Sequence, residues 1–182
     1  MASRLEVDSK KGKQVLNTVS PTPRGREGRA AGESLRALHE VSDWLEDGIG
    51  QASERRDLPR LLRHARDRAL LLLAFWRRIE VDELASLQVE HIDVSPLAGL
   101  TCYLVSAKGR RLINWRRLSV PALTHLCPVS ALALWLSLSG VASGPLFRDV
   151  RHNGELTEHA MRPASVAALL RNLRRLPGDG DD

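Results

Sequence analysis

Apolar residues recur at helical spacing through Leu35, Leu38, Val41, Trp44, Leu45 and Ile49, so one stripe runs along a helix expected to begin near Ser34. Gly48 and Gly50 mark its expected end. A second helix is expected from about Asp57, with Pro59 in the first turn, where a missing N–H is no loss. It runs through RHARDRALLLLAFWRR, with a break expected near Arg66. Residues 70–76 are apolar on every face, a pattern that belongs at the centre of a fold. Asp82 is the expected N-cap of a short helix, VDELASL.

The period then changes from helical to alternating. LTCYLV (residues 100–105) and RRLSVPA, ending at Pro121, read as two strands joined by a turn around Gly109. CPVSALALWLSLSG is a helix with Pro128 at its start and Gly140 at its stop. GPLFRDV is a short extended piece. RPASVAALLRNLRRL is a last helix, with Pro163 early and Pro177-Gly178 beyond it. The order predicts an α+β fold, mostly helical, with a small antiparallel β-hairpin or sheet. Residues 1–32 are rich in Lys, Arg, Gly, Pro and Ser and read as a flexible basic lead-in. Residues 33–56 form a helix and linker, 57–176 the main domain, and 177–182 a polar tail.

Composition narrows the partner. With 27 Lys+Arg against 22 Asp+Glu the net charge is +5, a mild preference for a polyanion such as nucleic acid. The two cysteines, Cys102 and Cys127, have neither metal-ligand spacing nor the pattern of a disulfide framework. They read as buried free thiols of a reducing compartment. No apolar signal region opens the chain, and the run ALLLLAFW is too short to cross a bilayer. The expectation is a soluble cytoplasmic protein with no membrane partner.

Four segments in uninterrupted order carry a resemblance. RHARDRALLLLAFWRR looks like a buried domain-opening helix, and VDELASLQVEHIDV like a short helix leading into a sheet. LTCYLVSAKGRR with RRLSVPAL looks like a β-hairpin bearing a lysine in its turn. LCPVSALALWLSLSGVASGPLFRDVRHNGEL is similar to the helix and strand that follow such a hairpin. Together, from about residue 61 to 173, they resemble the catalytic domain of the tyrosine recombinases, the phage integrase family. In particular they resemble mobile-element integrases that read FW-R-G-F-R-x-D-E-L at their first site. The resemblance makes residues 33–56 the remnant of an N-terminal DNA-clamp region and the whole chain a truncated catalytic domain.

The resemblance also implies a chemistry. A tyrosine hydroxyl attacks a DNA phosphate and becomes covalently bound to it. Two arginines hold the non-bridging oxygens, and a hairpin lysine protonates the leaving oxygen. Neither metal nor cofactor is required. Lys108 matches the hairpin lysine. Glu83 matches a glutamate that follows the first arginine by three residues, so Glu80 stands where that arginine belongs. Arg77 and Arg78 lie within a helical turn of it and could be misregistered substitutes, but would be expected to point in different directions and read as surface or linker arginines. The second box, His-x-x-Arg, and the C-terminal tyrosine are not found at their expected places. His159-Ala160-Met161-Arg162 has the spacing but precedes the last helix and reads as coincidence. Tyr103, the single tyrosine, lies in the first hairpin strand and reads as a packing residue.

Arg110, Arg111, Arg116 and Arg117 straddle the hairpin, where they form either a phosphate-contacting edge or a solvated edge guarded by charge. His125-x-Cys127 supplies too few ligands for a metal site. His64 and His91 read as surface or helix residues. The expected function is that of a degenerate integrase-family DNA-binding protein, unable to cleave DNA alone. The alternatives are a recombinase fragment completed by another integrase-like chain in a homo- or hetero-oligomer, and a helical module that regulates a full-length integrase without touching DNA.

Overall fold

The computed structural model describes residues 26–77, 79–95, 98–106 and 114–175. Two long helices, α1 (Arg26–Glu54) and α2 (Leu58–Arg77), pack against each other. A short helix α3 (Val81–Ser86) leads through a 3-10 turn, Val89–His91, into strands β1 (Ile92–Ser95), β2 (Gly99–Ser106) and β3 (Asn114–Val120). These form an antiparallel sheet in the order β1-β2-β3. Helix α4 (Pro128–Ser139) follows, then a separate two-stranded ribbon, β4 (Arg148–Val150) with β5 (Leu156–Ala160), and helix α5 (Pro163–Leu173). The described chain is α+β with more helix than strand, as the sequence pattern predicts.

The core is continuous from α1 to α5. Leu70, Leu72 and Leu73 of α2, Leu84 of α3 and Leu132 and Trp135 of α4 are all fully buried within it. Burial on every side of α2 is what its all-round apolar block demands. The helix passes Arg66 without the expected break. Asp57 caps it, accepting a hydrogen bond from the Arg60 N–H at 3.1 Å. Arg66 is itself buried at 6% exposure, and its guanidinium donates to Asp67 on α2 and to the Arg148 carbonyl on β4.

Helix α1 departs from its expected limits at both ends. It starts at Arg26 rather than near Ser34, so residues 26–32 of the expected lead-in are helical. It also runs through Gly48 and Gly50 to Glu54. At Gly48 the reason is packing: a β-carbon there would meet the His64 ring at 3.0 Å, so the glycine lets α1 and α2 approach closely. His64 is correspondingly buried: of the two readings, surface or helix residue, it is the helix residue. Its ring stands edge-on to Trp44, with centroids 5.1 Å apart.

Burial, and then the neighbouring Arg60 and Arg63 charges, hold the His64 pKa below its ordinary 6.5, while Asp57 opposes them. Arg60 Nε donates to His64 Nε2 at 3.2 Å, so that nitrogen serves as an acceptor in the neutral ring. A histidine whose folded pKa is depressed is protonated more readily in the unfolded chain. Its contribution is fully present above the unfolded value and is lost as pH falls from about 6.5 toward the folded value. Thermal melts across that range should show falling stability in the native chain and a flatter profile in His64→Gln.

Candidate nucleic-acid interface

The turn before α3 is built by two glutamates. Glu80 is the N-cap, with extended backbone (φ −66°, ψ 151°), and it forms a reciprocal capping box with Glu83. The Glu80 side chain accepts from the Glu83 N–H, and Glu83 Oε2 accepts from the Glu80 N–H at 2.9 Å. The cap therefore lies two residues before Asp82, the residue expected to provide it. Asp82 falls inside the first turn, where a negative charge favours the helix. Leu84, fully buried beside them, fixes α3 to the core.

A third side chain reaches this turn from the sheet. Arg116 of β3 places a terminal guanidinium nitrogen 2.8 Å from Glu83 Oε2, the same oxygen that binds the Glu80 N–H. The pair is asymmetric. The Glu83 side chain is 9% exposed and the Arg116 side chain 46%. The carboxylate is the anchored end, and the cation is presented to solvent.

The β2–β3 register separates Arg116 and Arg117, which sequence alone allows on one edge of the hairpin. Leu104 pairs with Arg116 and Tyr103 with Arg117. Side chains alternate along a strand, so Arg116 shares the face of buried Leu118 and Val120, toward α3. Arg117 lies on the opposite, exposed face beside Tyr103. Tyr103 is 44% exposed, which corrects its reading as a packing residue. Arg77 is the last residue of α2. Arg78, Lys108, Arg110 and Arg111 lie outside the described residues, as does the turn around Gly109.

The remaining sequence candidates are dispersed. His159 is exposed on β5, whereas Arg162 is the N-cap of α5, so their motif spans a strand–helix junction. His125 and Cys127 line a polar cavity of about 250 Å³ with His39, Asp43, Glu46 and Arg68. Among the described residues, no group of three or more His, Cys, Asp or Glu is placed to hold a metal. Cys127 caps α4: its Sγ accepts from the Leu123 N–H at 3.3 Å and the Ser130 N–H at 3.5 Å. Burial pushes its thiol pKa up, but the hydrogen bonds outweigh burial and leave it lowered. Burial alone pushes the Cys102 thiol up to about 12, so it stays protonated in the core.

The Glu83–Arg116 pair is the contact that sequence reasoning missed. In sequence Glu83 marks only the register of the first site, and its partner is 33 residues away. The local signal that could have found half of it is the Glu80-x-x-Glu83 spacing of a capping box.

No family model matches the chain. It is 28% identical over 115 residues to the "Integrase/recombinase xerD homolog" of Selenomonas ruminantium, an alignment covering 62% of this chain. That alignment covers 33% of the relative, so the chain spans about a third of the length of the curated protein it matches. The similarity supports at most a relation to the tyrosine recombinases.

Proposed function

We propose that this chain contacts DNA in integrase-type recombination and that its first phosphate-binding position is altered, so that these 182 residues do not cleave a strand by themselves. The observation that carries the reading is Glu80. In the register set by Glu83 it replaces the arginine that would face the scissile phosphate, and its carboxylate is committed to capping α3. A carboxylate facing a phosphate repels it, whereas an arginine would hold it through forked hydrogen bonds. The cations we assign to backbone contact are Arg116 and Arg117, with Lys108, Arg110 and Arg111 just before them in sequence and Arg77 and Arg78 just before Glu80.

Two measurements test this. A nicked suicide substrate followed by denaturing electrophoresis should show no covalent protein–DNA band. A band that vanishes in Tyr103→Phe would overturn the reading. Duplex DNA should bind weakly, without sequence preference, and with a steep loss of affinity as salt rises.

Glu80→Gln is the informative variant, because an amide oxygen still accepts the capping hydrogen bond while the charge is gone. It should bind roughly three-fold tighter at low salt, the scale of one screened contact. Glu80→Arg, which cannot accept that bond, should gain DNA affinity but lose thermal stability. Glu158→Gln, an equal charge change at an exposed position on β5, should gain less than Glu80→Gln. Equal gains would mean that only net charge matters.

A further inference from the structure

We infer that Glu83 is a positioning residue for Arg116, and that Arg116 delivers from β3 the phosphate-facing guanidinium that position 80 does not supply. The inference rests on the DNA-contact reading above and names the residue pair that makes the contact. Glu80 N and the Arg116 guanidinium both lie within 2.9 Å of one carboxylate oxygen, so the sheet brings a cation to the turn that holds Glu80.

The ion pair has the geometry of a mount. Its acid is buried and also accepts a backbone N–H, which fixes the carboxylate before any ligand arrives. Its base is about half exposed and engages the acid through one terminal nitrogen. A half-exposed ion pair adds little to stability, because solvent screens it. What it does provide is order. A long arginine loses rotamer freedom when it binds an anion, and a side chain already held in place loses less. Arg117, the adjacent residue, points to the other face of the sheet beside Tyr103 and has no such mount among the described contacts.

The decisive experiment sets positioning against net charge. Duplex DNA binding is measured as a function of salt for the native chain, Glu83→Gln, Arg116→Ala and the double variant, with thermal melts confirming that each is folded. Removing an acid near a polyanion should by charge alone tighten binding. A positioning role predicts the reverse: Glu83→Gln binds more weakly than the native chain, roughly three- to ten-fold at low salt. In the Arg116→Ala background the same change should instead leave affinity unchanged or raise it.

Arg116→Ala should also reduce the log–log salt slope by roughly 0.9, one phosphate contact. Tighter binding by Glu83→Gln in both backgrounds would overturn the inference. If Glu83→Gln does not fold, Arg116→Gln is compared with Arg117→Gln, both exposed. Equal losses of affinity and slope would overturn the special role of Arg116. A native chain that binds no duplex DNA at any salt would overturn the functional reading itself, an outcome distinct from either of these.

Discussion

Arg66→Met is expected to destabilise the chain by about 3 kcal/mol, toward the lower end of what breaking a buried ion pair costs. The Arg66 side chain is 7% exposed and Asp67 17%, with 2.8 Å between the guanidinium and Asp67 Oδ1. The same guanidinium donates to the Arg148 carbonyl at 3.1 Å, and Asp149 Oδ1 is 3.9 Å away. Methionine fills similar volume but leaves Asp67 without its cation and the Arg148 carbonyl without that donor. The expected consequence is a loosened join between α2 and the β4–β5 ribbon.

The pH dependence gives this prediction a signature. Burial pushes the Asp67 carboxyl above the usual 3.8, and Arg66 offsets part of that rise. An acid whose folded pKa is raised favours folding when protonated, and that contribution is lost as pH rises through the carboxylate range. Without Arg66 the rise is larger, so the gap in stability between variant and native chain should narrow on acidification toward roughly pH 4. Urea melts of both proteins at neutral and acidic pH would measure it, and a gap that widens instead would contradict the assignment. Replacing both residues, Arg66→Met with Asp67→Leu, should cost less than Arg66→Met alone.

Trp135→Ala is expected to have an effect of similar size, about 3–5 kcal/mol. Trp135 is fully buried, and its Nε1–H donates to the Leu146 carbonyl at 2.9 Å. The Leu146 N–H in turn donates to the Leu87 carbonyl at 2.9 Å, and the Val89 N–H to the Gly144 carbonyl. The indole therefore holds the segment that pairs with the chain as it leaves α3. Trp135→Phe keeps most of the apolar volume but leaves the Leu146 carbonyl without this donor, for about 1–3 kcal/mol. Equilibrium unfolding should rank native above Trp135→Phe above Trp135→Ala. Equal stability for the two variants would mean that volume contributes nothing beyond the hydrogen bond.

Both residues lie outside the proposed interface but support the elements around it. Arg66 fixes α2 to the ribbon, and Trp135 fixes the exit of α3, the helix whose first turn carries Glu80 and Glu83. If the proposed DNA contact holds, loosening the exit of α3 should weaken it by displacing Glu83, the partner of Arg116, in addition to any loss of fold.

Much of the secondary structure was legible because its signals are local. Pro128 and Gly140 delimit α4 as expected, and Gly140 takes a left-handed conformation (φ 65°) that few other residues tolerate. The all-apolar block of α2 foretold burial, and the alternation at residues 100–105 foretold a strand. The ordered segments also carried the relation to integrases that the partial similarity supports. Each of these signals is read within one element, where spacing alone sets which residues share a face.

The tertiary structure decided what depends on a distant partner. Two glycines suggested the end of α1, but at Gly48 the missing β-carbon serves the His64 ring across the helix pair, so the helix continues. β1 and β5 are short strands whose hydrogen bonds come entirely from neighbours. The same is true of the site: adjacent Arg116 and Arg117 look equivalent in sequence, and only the strand's alternation and the arrival of Glu83 separate them. A sequence records which charges exist. Which of them meet depends on the return of the chain, because an ion pair forms only where packing has already brought its two ends within a few ångströms.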